Sequence, residues 1–267
     1  MKLAGRRVLL TGATGGIGRA LALELAGRGA QLALLARDGG RLDALVEELR
    51  TAGAAALPLR FDLARREGHD APVREAIAAL EGLDVLINNA AISRFGNYVD
   101  AEPAAIARLI DVNVNGPLLL TAAALPHFLA RGSGHIVNVG SILGSIGFPH
   151  FAAYSASKFA LRGFSEALRR ELRGSGVRVC YIAPRTTDTG LNDAAARALM
   201  SETGAAVDTP ARVARVIAEA IEHERAEVFI GAAENIFVRL NALAARAVDR
   251  PLARQNRIAE RLLRRGS

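Results

Sequence analysis

The chain has 267 residues, with 34 lysines and arginines against 27 aspartates and glutamates, a formal charge of +7 and a pI near 10.6. At 51 % hydrophobic and 23 % charged it is not a disordered chain, and no uninterrupted apolar run reaches the roughly 18 residues of a membrane span. The single cysteine, Cys180, excludes a disulfide framework and a cysteine-based zinc site.

A charge this basic raises nucleic-acid binding, but its distribution argues otherwise. Only Lys2 and Lys158 are lysines, so the basic residues are almost all arginine, a skew that looks like genome composition. Residues 239–267 hold eight arginines against Asp249 and Glu260, which leaves the body nearly neutral. No nucleic-acid partner is expected. The N-terminus runs almost directly into a strand with no visible signal peptide, so a cytoplasmic location, peripheral to a membrane at most, is the expectation.

Strands are predicted at Arg7–Thr11, Gln31–Leu35, Ala56–Phe61, Asp84–Asn88, His135–Val139, Val177–Ile182 and Glu227–Ile230. Most are continuous apolar runs, as parallel strands covered on both faces should be. Helix-period segments lie between them, among them Arg19–Arg28, Arg41–Thr51 and Pro103–Leu120. A later helix starts at Pro210 with Asp208 or Thr209 as N-cap. Such alternation implies right-handed crossovers and an α/β fold: a single doubly wound, Rossmann-type parallel sheet of about seven strands with helices on both faces. Residues 1–235 form the expected catalytic domain, and residues 236–267 a basic helical extension interrupted at Pro251.

After the first strand comes Thr11-Gly12-Ala13-Thr14-Gly15-Gly16-Ile17-Gly18, followed at once by a helix. Glycines there let the backbone turn tightly and bring a pyrophosphate to helix N–H groups that lack internal partners. The TGxxxGxG spacing resembles the short-chain dehydrogenase/reductase family, and further motifs match over about residues 5–232. Asp62-Leu63 closes the third strand, Asn88-Asn89-Ala90-Ala91 is similar to the family's NNAG, and Asn113 matches its helix asparagine. Ser141 precedes Tyr154 by thirteen residues, Lys158 follows four later, and Pro184 to Thr189 resembles PGxxxT with Arg185 in place of glycine. With three tyrosines and two lysines in the chain, only about 0.02 YxxxK matches arise by chance.

The resemblance implies catalysis by Tyr154, Lys158, Ser141 and Asn113. It implies cofactor contacts from Gly12, Thr14, Gly16, Ile17, Gly18, Arg37, Asp62, Leu63, Asn89, Ala90, Tyr154, Lys158, Pro184, Thr187 and Thr189. Tyrosine and lysine four apart share a helix face. A nearby ammonium and the positively charged oxidised nicotinamide both favour the phenolate and are expected to lower the Tyr154 pKa, so that the phenol trades a proton with the substrate oxygen. Ser141 hydrogen-bonds the same oxygen, Lys158 grips the nicotinamide ribose, and Asn113 positions a relay water. The second strand ends in Ala36-Arg37 where NAD-preferring relatives carry an acid, so NADP(H) is favoured over NAD(H). Asp38 stands against that reading, as does the absence of a basic residue in the glycine turn.

Phe95, Tyr98, Phe148 and Phe151 fall at the carboxyl edge of the sheet and suggest an apolar pocket for a hydrophobic ketone or alcohol. Arg185 is a candidate for a substrate anion or for pairing with Asp188, and Gly190–Val207 reads as a lid. Metal ligands are not expected, since His69, His127, His135 and His223 read as surface or loop residues and His150 as structural. The tail repeats Arg250, Arg254, Arg257, Arg261 and Arg264 beside Ile258, Leu262 and Leu263, a basic amphipathic pattern. It suits an anionic membrane surface, an acidic carrier, or packing on the domain. A homodimer or homotetramer is implied by the resemblance. The leading expectation is an NADP(H)-dependent ketoreductase. The alternatives are an NAD-linked alcohol or sugar dehydrogenase and a non-catalytic nucleotide-sensing or acidic-partner-binding protein.

Overall fold

The structure, a computed structural model, describes residues 1–265, apart from the side chains of Ala247, Arg250 and Arg265. The tail expectations that fall on Ala247, Arg250 and Arg265 therefore lie outside the described side chains. Seven parallel strands form one sheet: β1 (Arg7–Thr11), β2 (Gln31–Ala36), β3 (Ala56–Arg60), β4 (Val85–Asn88), β5 (Gly134–Val139), β6 (Val177–Ala183) and β7 (Glu227–Phe229). Their order is β3-β2-β1-β4-β5-β6-β7, so the chain winds outward from β1 in one direction, then crosses to β4 and continues in the other. The carboxyl ends of β1 and β4 flank the crevice at that reversal, where ligands of such sheets bind.

The helices are α1 (Gly16–Gly27), α2 (Gly39–Thr51), α3 (Asp70–Ala79), α4 (Pro103–Ile110), α5 (Gly116–Ala130), α6 (Ala152–Glu171), α7 (Ala194–Thr203), α8 (Pro210–Glu222) and α9 (Ala232–Arg265). One core lies beneath α1, α2 and α8, with Leu10, Leu34, Val137 and Ile217 among its members; the other lies beneath α3, α5 and α6 around Leu9, Leu86, Leu120 and Phe128. Strands covered on both faces explain the unbroken apolar runs. Pro58 sits in β3, an edge strand, where a missing N–H is tolerated. Thr209 caps α8 by accepting the Arg212 N–H, ahead of Pro210 at the first helical position.

The helical stretch Pro103–Ala130 is long and apolar enough to cross a membrane, which a search for unbroken apolar runs does not register. Here one face of it packs on the body, where Leu109, Leu120, Ala124 and Phe128 are buried. Two histidines correct the sequence reading. His69 is buried against Phe61, and His135 is buried within β5.

The last helix begins at Ala232, so the sequence boundary at 235/236 falls inside it. It breaks at Ala244, whose φ of −149° and ψ of 65° are not helical, and continues through Pro251. The break is thus seven residues earlier than the proline suggests. It turns the chain so that Val248 and Ala259 bury against the body, with Asn241 Nδ2 donating to the Ser145 carbonyl (2.9 Å) just ahead of the bend. Ile258, Leu262 and Leu263 pack on the cluster of Phe95, Leu109, Phe151 and Leu199. Packing on the domain has consumed the apolar side of the tail's second half.

Candidate active site

The glycine turn is built by close backbone packing. Gly12 has φ +67°, and a Cβ there would stand 2.7 Å from the Ala90 Cα; one at Gly18 would stand 2.0 Å from the Gly12 carbonyl oxygen. Gly16 lies under Thr189, whose Cγ2 would be 2.6 Å from an added Cβ. No side chain caps α1 at Gly15, so the first-turn N–H groups face the crevice without a side-chain acceptor. Asn89 braces the turn: its Nδ2 donates to the carbonyls of Thr11 (2.9 Å) and Gly12 (3.3 Å). The Thr11 hydroxyl accepts the N–H groups of Asn89 and Ala90 at 2.9 and 3.0 Å. The NNAA segment therefore shapes the turn from behind.

At the end of β2, Arg37 is exposed, and Asp38 is committed as the N-cap of α2, accepting the Arg41 N–H at 3.1 Å. Arg41 reaches back and donates to the Thr14 carbonyl at 3.2 Å, a cation over the glycine turn that the sequence alone does not reveal because it lies 27 residues away. Asp62 accepts the Ala64 N–H at 3.0 Å and pairs with Arg108 at 3.1 Å. Burial alone would raise its carboxyl pKa, but the Ala64 hydrogen bond, Arg108 and the charge of Arg37 together lower it. Leu63 is buried beside it.

Asn113 sits in a wide π turn, Asp111–Asn115, between α4 and α5. Its Oδ1 accepts the Ile92 N–H, and its Nδ2 donates to the Ile92 carbonyl, both at 2.9 Å, and to Ser157 Oγ at 3.0 Å. Ser157 in turn donates to the Tyr154 carbonyl at 2.7 Å. The asparagine thus ties the segment after β4 to the turn of α6 that carries the tyrosine. The Lys158 ammonium points elsewhere: it donates to the Val139 carbonyl at 3.0 Å and lies 5.7 Å from the Tyr154 ring centroid.

Ser141 caps the short turn after β5 by accepting the Leu143 N–H at 3.1 Å. Tyr181 holds it from β6: the phenol accepts the Ser141 N–H (3.4 Å) and donates to the Ser141 carbonyl (3.2 Å). The ring packs so tightly on Gly140 that a Cβ there would lie 2.2 Å from it. Burial pushes the Tyr154 phenol up to about 12, with a hydrogen bond to Ser141 opposing, and burial brings Lys158 down to about 8. Desolvation by the apolar walls dominates, and Lys158 spends its ammonium on a backbone carbonyl.

Ser141, Tyr154 and Lys158 line one cavity of about 560 Å³. Ile17, Asn89, Pro184, Thr187 and Thr189, expected as cofactor contacts, also line it, and Phe148 and Phe151 add apolar wall. Phe95 does not reach it and instead backs Phe151 at 5.0 Å between centroids, while Tyr98 is 60 % exposed on a separate turn. Arg185 is on the wall but already engaged. It binds Asp208 through Nε and Nη2, both at 3.0 Å, and Glu234 at 3.4 Å, so Asp188 is not its partner. The Gly190–Val207 segment contains α7, capped by Asp193 and ended by Gly204 at φ +63°. Leu199 and Met200 from α7, with Phe237, Val248, Leu252 and Gln255 from α9, complete the cavity. Those four α9 residues escape sequence reasoning, since nothing local in the sequence says where a tail folds back.

A family model for short chain dehydrogenases matches residues 6–199. The chain is 33 % identical over 255 residues to the uncharacterized oxidoreductase YxnA of Bacillus subtilis (strain 168), covering 93 % of this chain and 72 % of that protein. It superposes with a TM-score of 0.85 and 28 % identity on a short chain dehydrogenase/reductase from Burkholderia phymatum in complex with NAD, covering 92 % of this chain and 96 % of that one. A short chain dehydrogenase from Burkholderia cenocepacia J2315 in complex with NADP gives a TM-score of 0.79 at 30 % identity, over 88 % of this chain and all (100 %) of that one. With the seven-stranded sheet and the glycine turn, these matches place the chain in the short-chain dehydrogenase family of oxidoreductases.

Proposed function

We propose that this protein is an NADP(H)-dependent carbonyl reductase for an apolar ketone, running in reverse as an alcohol dehydrogenase. One observation carries the reading: Ser141, Tyr154 and Lys158 open into a single apolar-walled cavity beside a glycine turn that a Cβ would fill. That turn fits a pyrophosphate, because the uncapped N-terminus of α1 aims N–H groups and the positive helix end at it. When bound, a nicotinamide dinucleotide supplies or takes up the hydride.

The chain's own residues do the rest. The Ser141 and Tyr154 hydroxyls hold the substrate oxygen. Tyr154, kept protonated by burial, donates its proton as the carbonyl becomes an alcohol. Lys158 holds the nicotinamide ribose, and its positive charge, 5.7 Å from the Tyr154 ring centroid, favours the phenolate left when the proton departs, which solvent then reprotonates. Asn113 positions α6 beneath both residues.

Preference for the 2′-phosphate rests on charge. Arg37 at the end of β2 and Arg41 over the glycine turn are the cations for a 2′-phosphate, while the carboxylates nearby are engaged, Asp38 in capping and Asp62 with Arg108. The NADP-bound relative from Burkholderia cenocepacia supports this reading and the NAD-bound one from Burkholderia phymatum does not. The test is a screen of NADPH and NADH oxidation against ketones of graded size and polarity, with Tyr154→Phe as control. NADPH oxidation that depends on ketone and on Tyr154 is the expected result. Turnover by Tyr154→Phe at the parent rate overturns the mechanism, and equal use of NADH overturns the cofactor assignment.

Ile236, Phe237, Leu240 and Leu243 remain exposed on the first half of α9 beside Arg239, and Phe237 also lines the cavity. An apolar ridge at the cavity rim suits a peripheral position on an anionic cytoplasmic bilayer. Leu243→Glu should weaken sedimentation with anionic vesicles; equal sedimentation removes the idea. Leu119 and Phe159, 40 % and 42 % exposed on α5 and α6, suit pairing with a second copy, which sedimentation velocity would show.

A further inference from the structure

Tyr181 is buried in β6, and its phenol fills a slot walled by two glycines of the turn after β5. A Cβ at Gly140 would lie 2.2 Å from both the Tyr181 Cζ and its hydroxyl oxygen. One at Gly144 would lie 2.4 Å from the same hydroxyl and 2.7 Å from the Lys158 carbonyl oxygen. Neither glycine has a positive φ, so the backbone conformation does not call for glycine at either place. The room they leave is taken by one hydroxyl group. Behind the ring stands Phe229, edge-on at 6.5 Å between centroids.

Between those two glycines lies Ser141. The N–H groups on either side of it bond to the β6 backbone: Gly140 to the Ile182 carbonyl at 2.7 Å and Ile142 to the Pro184 carbonyl at 3.0 Å. The Ser141 N–H goes instead to a side chain, the Tyr181 hydroxyl, at 3.4 Å. That hydroxyl donates to the Ser141 carbonyl at 3.2 Å, which also accepts the Gly144 N–H at 2.9 Å. Burial raises the Tyr181 phenol above its ordinary range, so it keeps the proton it donates at neutral pH. One group thus grips both backbone polar groups of the serine that faces the cavity with Tyr154.

We propose that Tyr181 is a positioning residue for the reaction. Its hydroxyl fixes the Ser141 backbone, and through it the place of Oγ beside Tyr154 and the substrate carbonyl. Tyr181 is not among the residues that line the cavity, so it acts through Ser141 and not on the substrate. The proposal rests on the reductase reading, in which Ser141 holds the substrate oxygen. Without the hydroxyl the Ser141 N–H loses its partner and the turn shifts into the emptied slot. A misplaced Oγ then costs rate in the chemical step and leaves the apolar contacts of the substrate as they were.

The experiment uses the full-length protein and Tyr181→Phe, which keeps the ring and removes the hydroxyl, each with and without Ser141→Ala. Phe229→Leu is the packing control, because it loosens the same cluster and leaves the hydroxyl in place. Tyr181→Phe should lower kcat for ketone about 10- to 100-fold with both KM values unchanged. In the Ser141→Ala background it should have no further effect, as two residues acting in series require. Phe229→Leu should keep the parent kcat, and melting curves establish that each variant folds. Exchange of the Ser141 amide, followed by NMR without ligands, should quicken about 10-fold in Tyr181→Phe. An unchanged kcat in Tyr181→Phe, an equal loss in the Ser141→Ala background, an equal loss in Phe229→Leu, or unchanged amide exchange each overturns the proposal. Quickened exchange in a protein whose parent form turns over no ketone counts against the reductase reading while upholding the hold on Ser141.

Discussion

The two ends of the crevice are built on opposite plans. At the cofactor end, backbone meets backbone: Gly12 on Ala90, Gly18 on the Gly12 carbonyl, and Asn89 spanning both. Gly12, Gly16 and Gly18 leave no room for an added methyl. At the other end, side chains from α7 and from a long helix broken at Ala244 close over the Ser141 and Tyr154 hydroxyls, held by contacts between elements remote in sequence. The first plan fixes a ligand that shares one chemical form across many proteins. The second lets the pocket change by substitution in one helix while Ser141, Tyr154 and Lys158 stay in place.

The largest effect is expected where packing is tightest. In Gly18→Ala the new methyl would sit 2.0 Å from a carbonyl oxygen, so the turn must open. Calorimetry should show at least a 100-fold loss of NADPH affinity, with a stability loss of about 1–3 kcal/mol or more in urea unfolding. Unchanged affinity would mean that the turn does not hold the pyrophosphate. The matching lesion at the other end is Ala259→Leu, which overfills a fully buried position on the face of the tail that packs on the body. It should raise the KM for ketone about 10-fold or more while leaving the KM for NADPH alone. If both constants moved together, the two ends would not be independent.

The difference between the plans also decides what is legible in the sequence. All seven strands lie within about one residue of their predicted bounds, because a strand buried on both faces must be a continuous apolar run. The glycine turn and the Tyr154–Lys158 spacing are local patterns, and local patterns survive in a linear reading. Partnerships between distant segments do not. Arg185 finds Asp208 and Glu234, Asn256 finds His150, and Arg41 finds Thr14, each pair joined only by the tertiary fold. Pro251 misleads because proline is the usual break signal, whereas the bend at Ala244 comes from docking of the helix beyond it. His135 misleads for a related reason: its type suggests surface, but its neighbours Ile136 and Val137 put it in the core.

A smaller effect should separate the adenine edge from the rest of the cofactor end. Arg37→Asp combined with Arg41→Ala removes both guanidiniums and adds a carboxylate that can accept the ribose 2′-hydroxyl. The KM for NADPH should rise about 10-fold or more while that for NADH falls, with kcat for each little changed. Arg41→Ala alone tells the two arginines apart. Loss of NADPH preference without any change on removing Arg41 would assign the phosphate to Arg37.

The smallest effect concerns stability and lies outside both ends. His135, in β5, has two ring nitrogens buried without partners among the described residues, and burial pushes its pKa down to about 4. The unfolded imidazole takes up a proton below about 6.5, whereas the folded one resists until about 4. The unfolded state therefore binds more protons between these values, and stability must fall as pH drops through that window. Asp84 acts lower on the scale. Burial opposes its charged form, but hydrogen bonds from Arg7 and Arg131 hold its carboxyl well below the usual range, so its stabilisation is full above about 4 and lost only in stronger acid. Melting curves of His135→Leu against the parent distinguish the two groups. The variant should flatten the decline between pH 6.5 and 4 and leave the steeper fall below it intact. It should also melt higher at neutral pH, because two stranded ring nitrogens give way to an apolar side chain in an apolar strand. An unchanged decline would show that another group titrates there. Retained NADPH and ketone KM values in the same variant would show that the sheet can be tuned without disturbing either end of the crevice.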